Sequence, residues 1–500
     1  MRGASIGFVM TFLLLTGAAT LHAQGLADAL RLSTGELPSG SRSAGLDGST
    51  LGTEGGYDAL QWNPAAIAPN ETSEMGVGIY YRDHQSAADF FGSNKSDNLT
   101  TMSLSSLGLL SVRPTRRGHL VFGLSFDQVR DYTSTYSFSA VNTNSSFLNT
   151  RGFINDPGLG TSSTGNRSYL DQTNLAWQLH LTYNVPDSGT ASLTTPFRAG
   201  MLQSGTVTQE GGMHALRAGA AIDVAEGISI GAALNYYYGN YSYERLLTEK
   251  DVAGQFHAGD TAPLSFQQAT IRDTRTQDQE GVSLKLGLLA YQNEVIKFGV
   301  TIETPSIFYV TDNFHRSGTA TFSEATYQST PDVEPDITDH YNVTTPMKIG
   351  AGASVHLLGA TFLGSATYQD YSQTRFSNGD VDLSSLNDDA RQTLRSVLAW
   401  NIGVEYVVPA VGLGLRAGYG IEPAPYKNDP KSYDQKQLSF GASILLSKSL
   451  LLEGSYRHIT YTTDHQLYSD VTVQGIAAGA FVTNDQVKRD EVTLGFGYRF

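Results

Sequence analysis

The residue types from which active sites are built occur in this chain, but not at the spacings that chemistry needs. No G-x-S-x-G elbow presents a nucleophilic serine, no H-E-x-x-H pair sets two imidazoles one helical turn apart for zinc, and no G-x-x-x-x-G-K-[ST] loop offers a cradle for phosphate. A serine and a histidine on facing strands would escape such a linear scan. The eleven histidines are scattered, with His214, His356 and His458 each standing alone, so no metal site is expected. Asp380, Asp382, Asp388 and Asp389 cluster without the spacing of a calcium loop; they read as a solvated loop, with a bridging cation as the alternative. What remains is physical binding. The stretch "FSAVNTNSSFLNTRGFINDPG" carries Phe138, Phe147 and Phe153, which either catch an apolar molecule on an outer loop or pack that loop. The expectation is a protein that is not an enzyme and uses no cofactor.

The elements that must position such a site are strands. The chain ends in "EVTLGFGYRF", with Val492, Leu494, Phe496, Tyr498 and Phe500 on one parity and Thr493, Gly495, Gly497 and Arg499 on the other. That is the period-two signature of a strand with one apolar face. In "LAWNIGVEYVV" a helix would place Asn401 and Glu405 in lipid, whereas a strand gathers them on the inside. "HLVFGLSF", "MKIGAGASV", "VSLKLGLLA", "IKFGVTIET", "VGLGLRAGYG" and "QLSFGASIL" alternate likewise, with Lys285, Lys297, Glu303, Lys348 and Arg416 on the polar or glycine parity. A soluble sandwich is disfavoured because short connections, near Pro114, Val224, Asn293, Leu358, Pro409 and Lys448, alternate with long polar ones. Such asymmetry belongs to an outer-membrane barrel with tight periplasmic turns and extended outer loops. An even strand number follows if both termini are periplasmic. Placing "YLDQTNLAWQLHLTYNV" inside one outer excursion, residues 132–209, gives fourteen antiparallel strands over residues 73–500. The last strand then closes the barrel onto the first, near Met75.

The first 23 residues, "MRGASIGFVMTFLLLTGAATLHA", carry one positive charge at Arg2, an apolar run from Ile6 to Leu15 and then small residues. They read as a secretory signal peptide cut after Ala23, with Ala18 and Ala19 as alternative sites. The apolar run is short of the roughly 20 residues a spanning helix needs. With no cysteine, neither disulfides nor a thiolate zinc site is available. A net charge of −15 argues against nucleic acid as a partner. Twenty-six tyrosines suit membrane interfaces, where a ring keeps one edge apolar and the other wet.

Residues 24–72 are not barrel-like. Within them "SGSRSAGLDGSTLGTEGGYDALQWNPAAIAPNE" resembles the N-terminal plug of the FadL/OmpP1/TodX family, through Ser43, Ala44, Gly45, Gly48, Ala59, Asn63, Pro64 and Ala65, with Trp62 where an aromatic is usual. Asp47 and Glu54 depart from that pattern. "GISIGAALNYYYGNYSYER", "KFGVTIETPSIFYV", "TTPMKIGAGASV", "ATYQDYSQTRF" and "LRAGYGIEPAPY" are similar to the family in order and spacing. The resemblance implies a plugged fourteen-stranded barrel in the outer membrane of a Gram-negative bacterium, carrying long-chain fatty acids or hydrocarbons and releasing them sideways past a kinked third strand. Gly123, in the middle of that strand, either marks the kink or makes room for the plug. Tyr498 and Phe500 resemble the terminal signal read by barrel-assembly machinery. Outer-membrane lipid and lipopolysaccharide are the other expected contacts of a monomer. A secretion-associated shuttle or scaffold is the alternative, and a polar-solute porin is disfavoured by the plug.

Overall fold

The computed structural model describes residues 25–116, 118–149, 175–185, 192–197, 199–257, 264–292, 295–330, 337–379, 383–409, 411–468 and 482–500. The expected signal peptide, Phe153, Asp380 and Asp382 lie outside them. The alternating segments form one closed antiparallel barrel of fourteen strands. β1 is Glu74–Phe90, β2 Ser93–Pro114, and β3 His119–Asp131 resuming as Ser134–Asn142. β4 is Met201–Ala225, β5 Ile228–Lys250 and β6 Phe266–Gln292. β7 (Ile296–Glu303, then Ile307–Phe322), β8 (Ile337–Thr344, then Lys348–Leu357) and β9 (Ala360–Asp370, then Arg375–Ser377) are each interrupted once. β10 (Ser396–Val408), β11 (Leu413–Glu422), β12 (Gln435–Leu445), β13 (Leu450–Gln466) and β14 (Val482–Arg499) complete the circle. β14 lies against β1 with Tyr498 opposite Met75 and Phe496 opposite Val77, and the Phe500 N–H donates to the Ser73 carbonyl at 2.9 Å. Closure leaves the terminal strand with a partner on each side.

The barrel is built inside out relative to a soluble protein. Leu234 and Phe298 are each 57 % exposed and Met102 72 %, whereas Arg217 and Glu303, of opposite parity, are each 2 % exposed. An apolar exterior around a charged interior is stable only if the exterior meets hydrocarbon. No described helix is long and apolar enough to cross a membrane.

Two connections differ from expectation. The excursion 132–209 is strand at both ends, because Ser134–Asn142 pairs with Met201–Gln209 as an upward continuation of β3 and β4. The count stays at fourteen since this ladder extends strands already counted, while Tyr183–Val185 and Ser192–Thr194 form a separate two-stranded sheet. The first outer connection is also short: Phe91 and Gly92, both at positive φ (51° and 78°), turn β1 into β2 as a two-residue hairpin. Paired positive φ values give the turn whose twist matches that of the flanking strands.

Inside, residues 25–72 fill the lumen as three short helices, Leu26–Ser33 (α1), Ser41–Gly45 (α2) and Ala59–Trp62 (α3), with a 3₁₀ turn at Pro64–Ile67. Inward-facing glycines make room for them. A Cβ at Gly231 would stand 2.5 Å from the Ala65 nitrogen, and one at Gly352 would stand 2.7 Å from the Leu51 Cβ. Both would displace backbone or core, which explains why the polar parity of so many strands is glycine.

Candidate functional site: plug, cavity and seam

The plug is held by charge. Asp28 pairs with Arg275 of β6 at 2.7 Å, Glu36 with Lys348 of β8 at 3.1 Å and with Arg217 of β4 at 3.3 Å, Arg42 with Glu405 of β10 at 2.8 Å, and Asp47 with Arg457 of β13 at 3.3 Å. Burial alone would raise the Glu36 carboxyl, but Lys348 and Lys285 hold it well below the usual carboxylate range. The partners are separated by up to several hundred residues in sequence, so these pairs fix the plug to the whole circumference.

Asn63 is fully buried and uses its side chain completely. Its Nδ2 donates to the Leu51 carbonyl at 2.9 Å and to the Leu288 carbonyl of β6 at 3.1 Å, while its Oδ1 accepts from the Ala65 N–H at 3.1 Å. Pro64 opens the 3₁₀ turn, where its missing N–H costs nothing, and Ala65 is fully buried. Trp62 is partly buried with its ring 3.0 Å from where a Cβ on Gly48 would stand, so its contact requires glycine there. Asn63→Ala leaves two buried carbonyls and one N–H short of a partner, each worth about 1–3 kcal/mol. Plug protection in limited proteolysis is expected to fall while barrel yield is unchanged; equal protection would show that Asn63 does not anchor the plug.

Asp58 lies within the plug, at the N-terminal end of α3. Burial, with Glu453 and Glu74 adding to it and Arg42 opposing, pushes its carboxyl up to about 7. The native state therefore holds the proton more tightly than the unfolded chain, whose value is about 3.9. Stability conferred by the neutral form is present at low pH and is lost as pH rises from about 4 to about 7. Asp58→Asn should be neutral at pH 4 and stabilise at pH 8 by up to about 4 kcal/mol. Urea midpoints at the two pH values check this, and an equal effect at both would contradict it.

The lid above the barrel has a core of its own. Phe138 (1 % exposed) and Phe147 (4 %) are buried there with Phe197, Phe256, Phe266 and Phe322. Of the two readings, catching or packing, burial puts these two residues in a packed cluster, whose rings come from the 132–209 excursion, the connection before β6 and the ends of β6 and β7. Gly123 is paired without a shift to Leu110 and Gly219, and a Cβ there would meet Leu60 of the plug at 2.9 Å. It makes room for the plug, and the strand's irregularity lies higher. Tyr498 and Phe500 stack at 6.1 Å on the closing strand. His214 stacks on Phe126 at 5.2 Å, His356 bonds Thr361, His458 bonds Asp490, and Asp388 pairs with Arg391 on a surface helix. Leu289 packs against the plug, whereas Val407 is half exposed.

The irregularity of β3 was not legible in the sequence. Its ladder with β2 runs from Pro114–His119 up to Ser106–Asp127 and ends there. Above that point Ser93–Leu104 pair only with β1, the ladder skipping Ser105, and Gln128–Asn142 pair only with β4. The register shifts at Val129, whose carbonyl accepts from the Leu37 N–H of the plug at 2.8 Å, and the strand breaks at Tyr132–Thr133. Above the break Tyr136 stacks on His465 of β13 at 3.9 Å and Phe138 meets Phe90 edge to face at 5.2 Å, so β3 turns into the lumen. Side chains bridge the resulting seam: Thr101 to Asp131 at 2.8 Å, Ser137 to Asp97 at 2.6 Å, and Ser103 to Gln128. On the outside its lower end borders Met102 and Leu104, both exposed on the apolar belt. Behind it lies a cavity of ≈ 830 Å³, walled by Asp131–Tyr136, α1 and the inner faces of β12–β14.

These features define a transmembrane β-barrel, closed and filled by its own N-terminal segment. It shares its fold with a crystal structure of a Pseudomonas aeruginosa FadL homologue, at 13% identity over 93% of this chain and 98% of that one, TM-score 0.55. It is similar also to the P. putida toluene transporter TodX, at 11% identity over 93% and 99%, TM-score 0.53. The resemblance read from the plug motif is thus borne out in the fold. A family model described as BamG matches residues 195–444, half of the chain, and the chain belongs to that family. No curated protein matches the chain.

Proposed function

We propose that this protein takes up hydrophobic molecules across the outer membrane of a Gram-negative envelope, receiving them in the cavity above the plug and releasing them sideways between β2 and β3. The observation that carries this reading is the missing ladder between Ser93–Ser105 and Gln128–Asn142. A barrel normally completes every ladder, because an unpaired strand edge in lipid costs several kcal/mol per polar group. Here, among the described residues, no backbone group bonds a backbone group across the seam; every bond across it, including that of the Ser137 N–H to Asp97, involves a side chain and parts more easily than a ladder. Lateral exit keeps an apolar solute out of periplasmic water. The proteins of like fold include a toluene transporter, which supports an apolar solute as cargo here. Tyr498 and Phe500 serve assembly at the closing seam.

A second reading, a secretion-associated scaffold, is favoured by one observation: ion pairs fix the plug around its circumference and a buried core closes the lid. The test is uptake of labelled toluene and oleate by cells with and without the protein, normalised to folded barrel, with conductance in planar bilayers alongside. Uptake without open-pore conductance is expected. Conductance without apolar uptake would restore the porin, and neither would leave the scaffold.

A further inference from the structure

The rim of short turns is uneven. Leu357 and Ala360 pair at the end of the β8–β9 ladder, and the two residues between them, Leu358 and Gly359, both have positive φ (55° and 83°). Such a turn favours asparagine, aspartate or glycine at its first position, because a bulky side chain there crowds the backbone. Leu358 occupies it all the same, and is 94 % exposed. The next turn of that rim, β10–β11, reads "VVPAVG" without a charge, and Val411 in it is 60 % exposed. The two turns abut, since a Cβ on Gly359 would stand 3.5 Å from the Tyr406 ring of β10. Leu446, 57 % exposed, extends the patch to the β12–β13 turn. In a circle of fourteen strands those seven apart face each other, so β9 and β10 stand opposite β2 and β3. The β2–β3 turn is charged, with Arg113 and Arg116 exposed, and Glu226 is exposed in the β4–β5 turn. One side of the rim is therefore apolar to its tips and the other is wet.

We propose that the β8–β9 and β10–β11 turns are a lipid anchor, sunk into the leaflet on the short-turn side, and that they incline the barrel so that the opposite wall, which carries the seam, is drawn toward the periplasm and its seam deeper into the outer leaflet. The occupant is lipid because the patch continues the lipid-facing belt: Leu357 follows Val355 on β8, Tyr406 follows Ile402 and Val404 on β10, and Leu446 follows Phe440 and Ile444 on β12, with no polar residue interrupting the outward rows. Tyr406, at the foot of its row, suits the headgroup boundary. Leu358 is a knob rather than the wall of a groove, and a fluid bilayer covers a knob without a matching socket. Strained backbone under an uncovered leucine is retained where that side chain has a task.

The test uses the full-length chain, which has no native cysteine, with single cysteines at Ala360, Val411, Arg116 or Thr100 carrying an environment-sensitive fluorophore. The protein is reconstituted in phosphatidylethanolamine–phosphatidylglycerol vesicles, with iodide on both sides or with lipids bearing a nitroxide at known depth. Nitroxide quenching should place the labels at 360 and 411 about 5–10 Å inside the phosphate plane and the label at 116 outside it, with iodide quenching in the reverse order. Leu358→Asn puts a residue suited to positive φ in the turn, so folded yield, read by heat-modifiable migration, should not fall. With the anchor gone, the labels at 411 and at 100, the latter on the outer face of β2 beside the seam, should both gain access to iodide, as opposite walls do when a tilt relaxes. Val411→Asn, read from the labels at 360 and 100, is the second variant should Leu358→Asn not fold. Iodide reaching 360 and 411 as readily as 116 would leave the patch to a periplasmic protein and overturns the proposal. Shielding of 360 and 411 from both quenchers, the mark of a second copy seated there, overturns it too, as does a label at 100 indifferent to both variants. No reading involves a solute, so loss of uptake would overturn the function proposed above without touching this inference.

Discussion

Cross-linking position 101 of β2 to position 131 of β3 is expected to abolish uptake of an apolar solute, reducing it to the level of cells without the protein. Thr101 and Asp131 already touch across the seam at 2.8 Å, at a level where β2 and β3 share no backbone ladder. The native chain has no cysteine, so in Thr101→Cys/Asp131→Cys only the introduced pair can react. Joined by a disulfide or a short thiol-reactive linker, the two edges cannot separate, and a solute in the cavity loses its way into the membrane. The replacements also remove the Asp131 carboxylate from Arg82, which is why the comparison is made within one variant, oxidised against reduced. Reductant should restore uptake for the disulfide form. A matched pair at Leu109 and Leu124, directly opposed in the intact ladder and both on the outward face, is the control and should change nothing on oxidation. Full uptake by the oxidised seam variant would falsify lateral release between these strands.

Arg217→Leu should destabilise the folded barrel more than any other single change in the plug interface, by about 3–5 kcal/mol. Arg217 is 2 % exposed on β4, pairs with Asp127 of β3 and reaches Glu36 of the plug at 3.3 Å. Asp127 is 1 % exposed and also accepts from Ser39 of the plug and from Ser125 at 2.6 Å. One guanidinium thus neutralises two carboxylates, one from the wall and one from the plug. Removing it leaves Asp127 buried and charged with only hydroxyl donors, and loosens Glu36. Most of the cost lies in the abandoned charge rather than in the lost bond, so Arg217→Leu/Asp127→Leu should recover the greater part of it. Urea midpoints of the protein in lipid vesicles, with protease protection of residues 25–72, measure both quantities. A single-variant loss under about 1 kcal/mol would mean that water or another cation compensates Asp127 and that this pair does not latch the plug.

Alternation alone determined the barrel. Each strand's lipid-facing parity is set by neighbours two residues away, so Leu398, Trp400 and Ile402 against Ala399, Asn401 and Gly403 can be assigned without knowing what lies beside them. Connection lengths then oriented the strands, and evenness fixed the count. The turn at Asn63 and Pro64 was also legible, because the bond from the Ala65 N–H to Asn63 Oδ1 that makes it is local, whereas the two bonds of Nδ2 reach Leu51 and Leu288 and were not. Tertiary structure decided everything that depends on closure. Glu36 and Lys348 are separated by 312 positions and meet only because the circle brings β8 over the plug. Phe138 and Phe147 could be read as catching a ligand or as packing their loop until Phe256, Phe266 and Phe322, from other parts of the chain, buried them. Gly123 could be read either as a kink or as room for the plug, and the register shift lies six residues higher, at Val129, whose carbonyl accepts from the Leu37 N–H of the plug. Nothing in "DQVRDYT" breaks the period of two, since a bulge costs only one extra residue and its stabilising partner lies on a segment more than ninety positions earlier. Parity is a local property of the backbone and is written in adjacent residues. Which polar groups meet in the lumen, and where a ladder fails, depends on how fourteen strands close around the particular segment inside them.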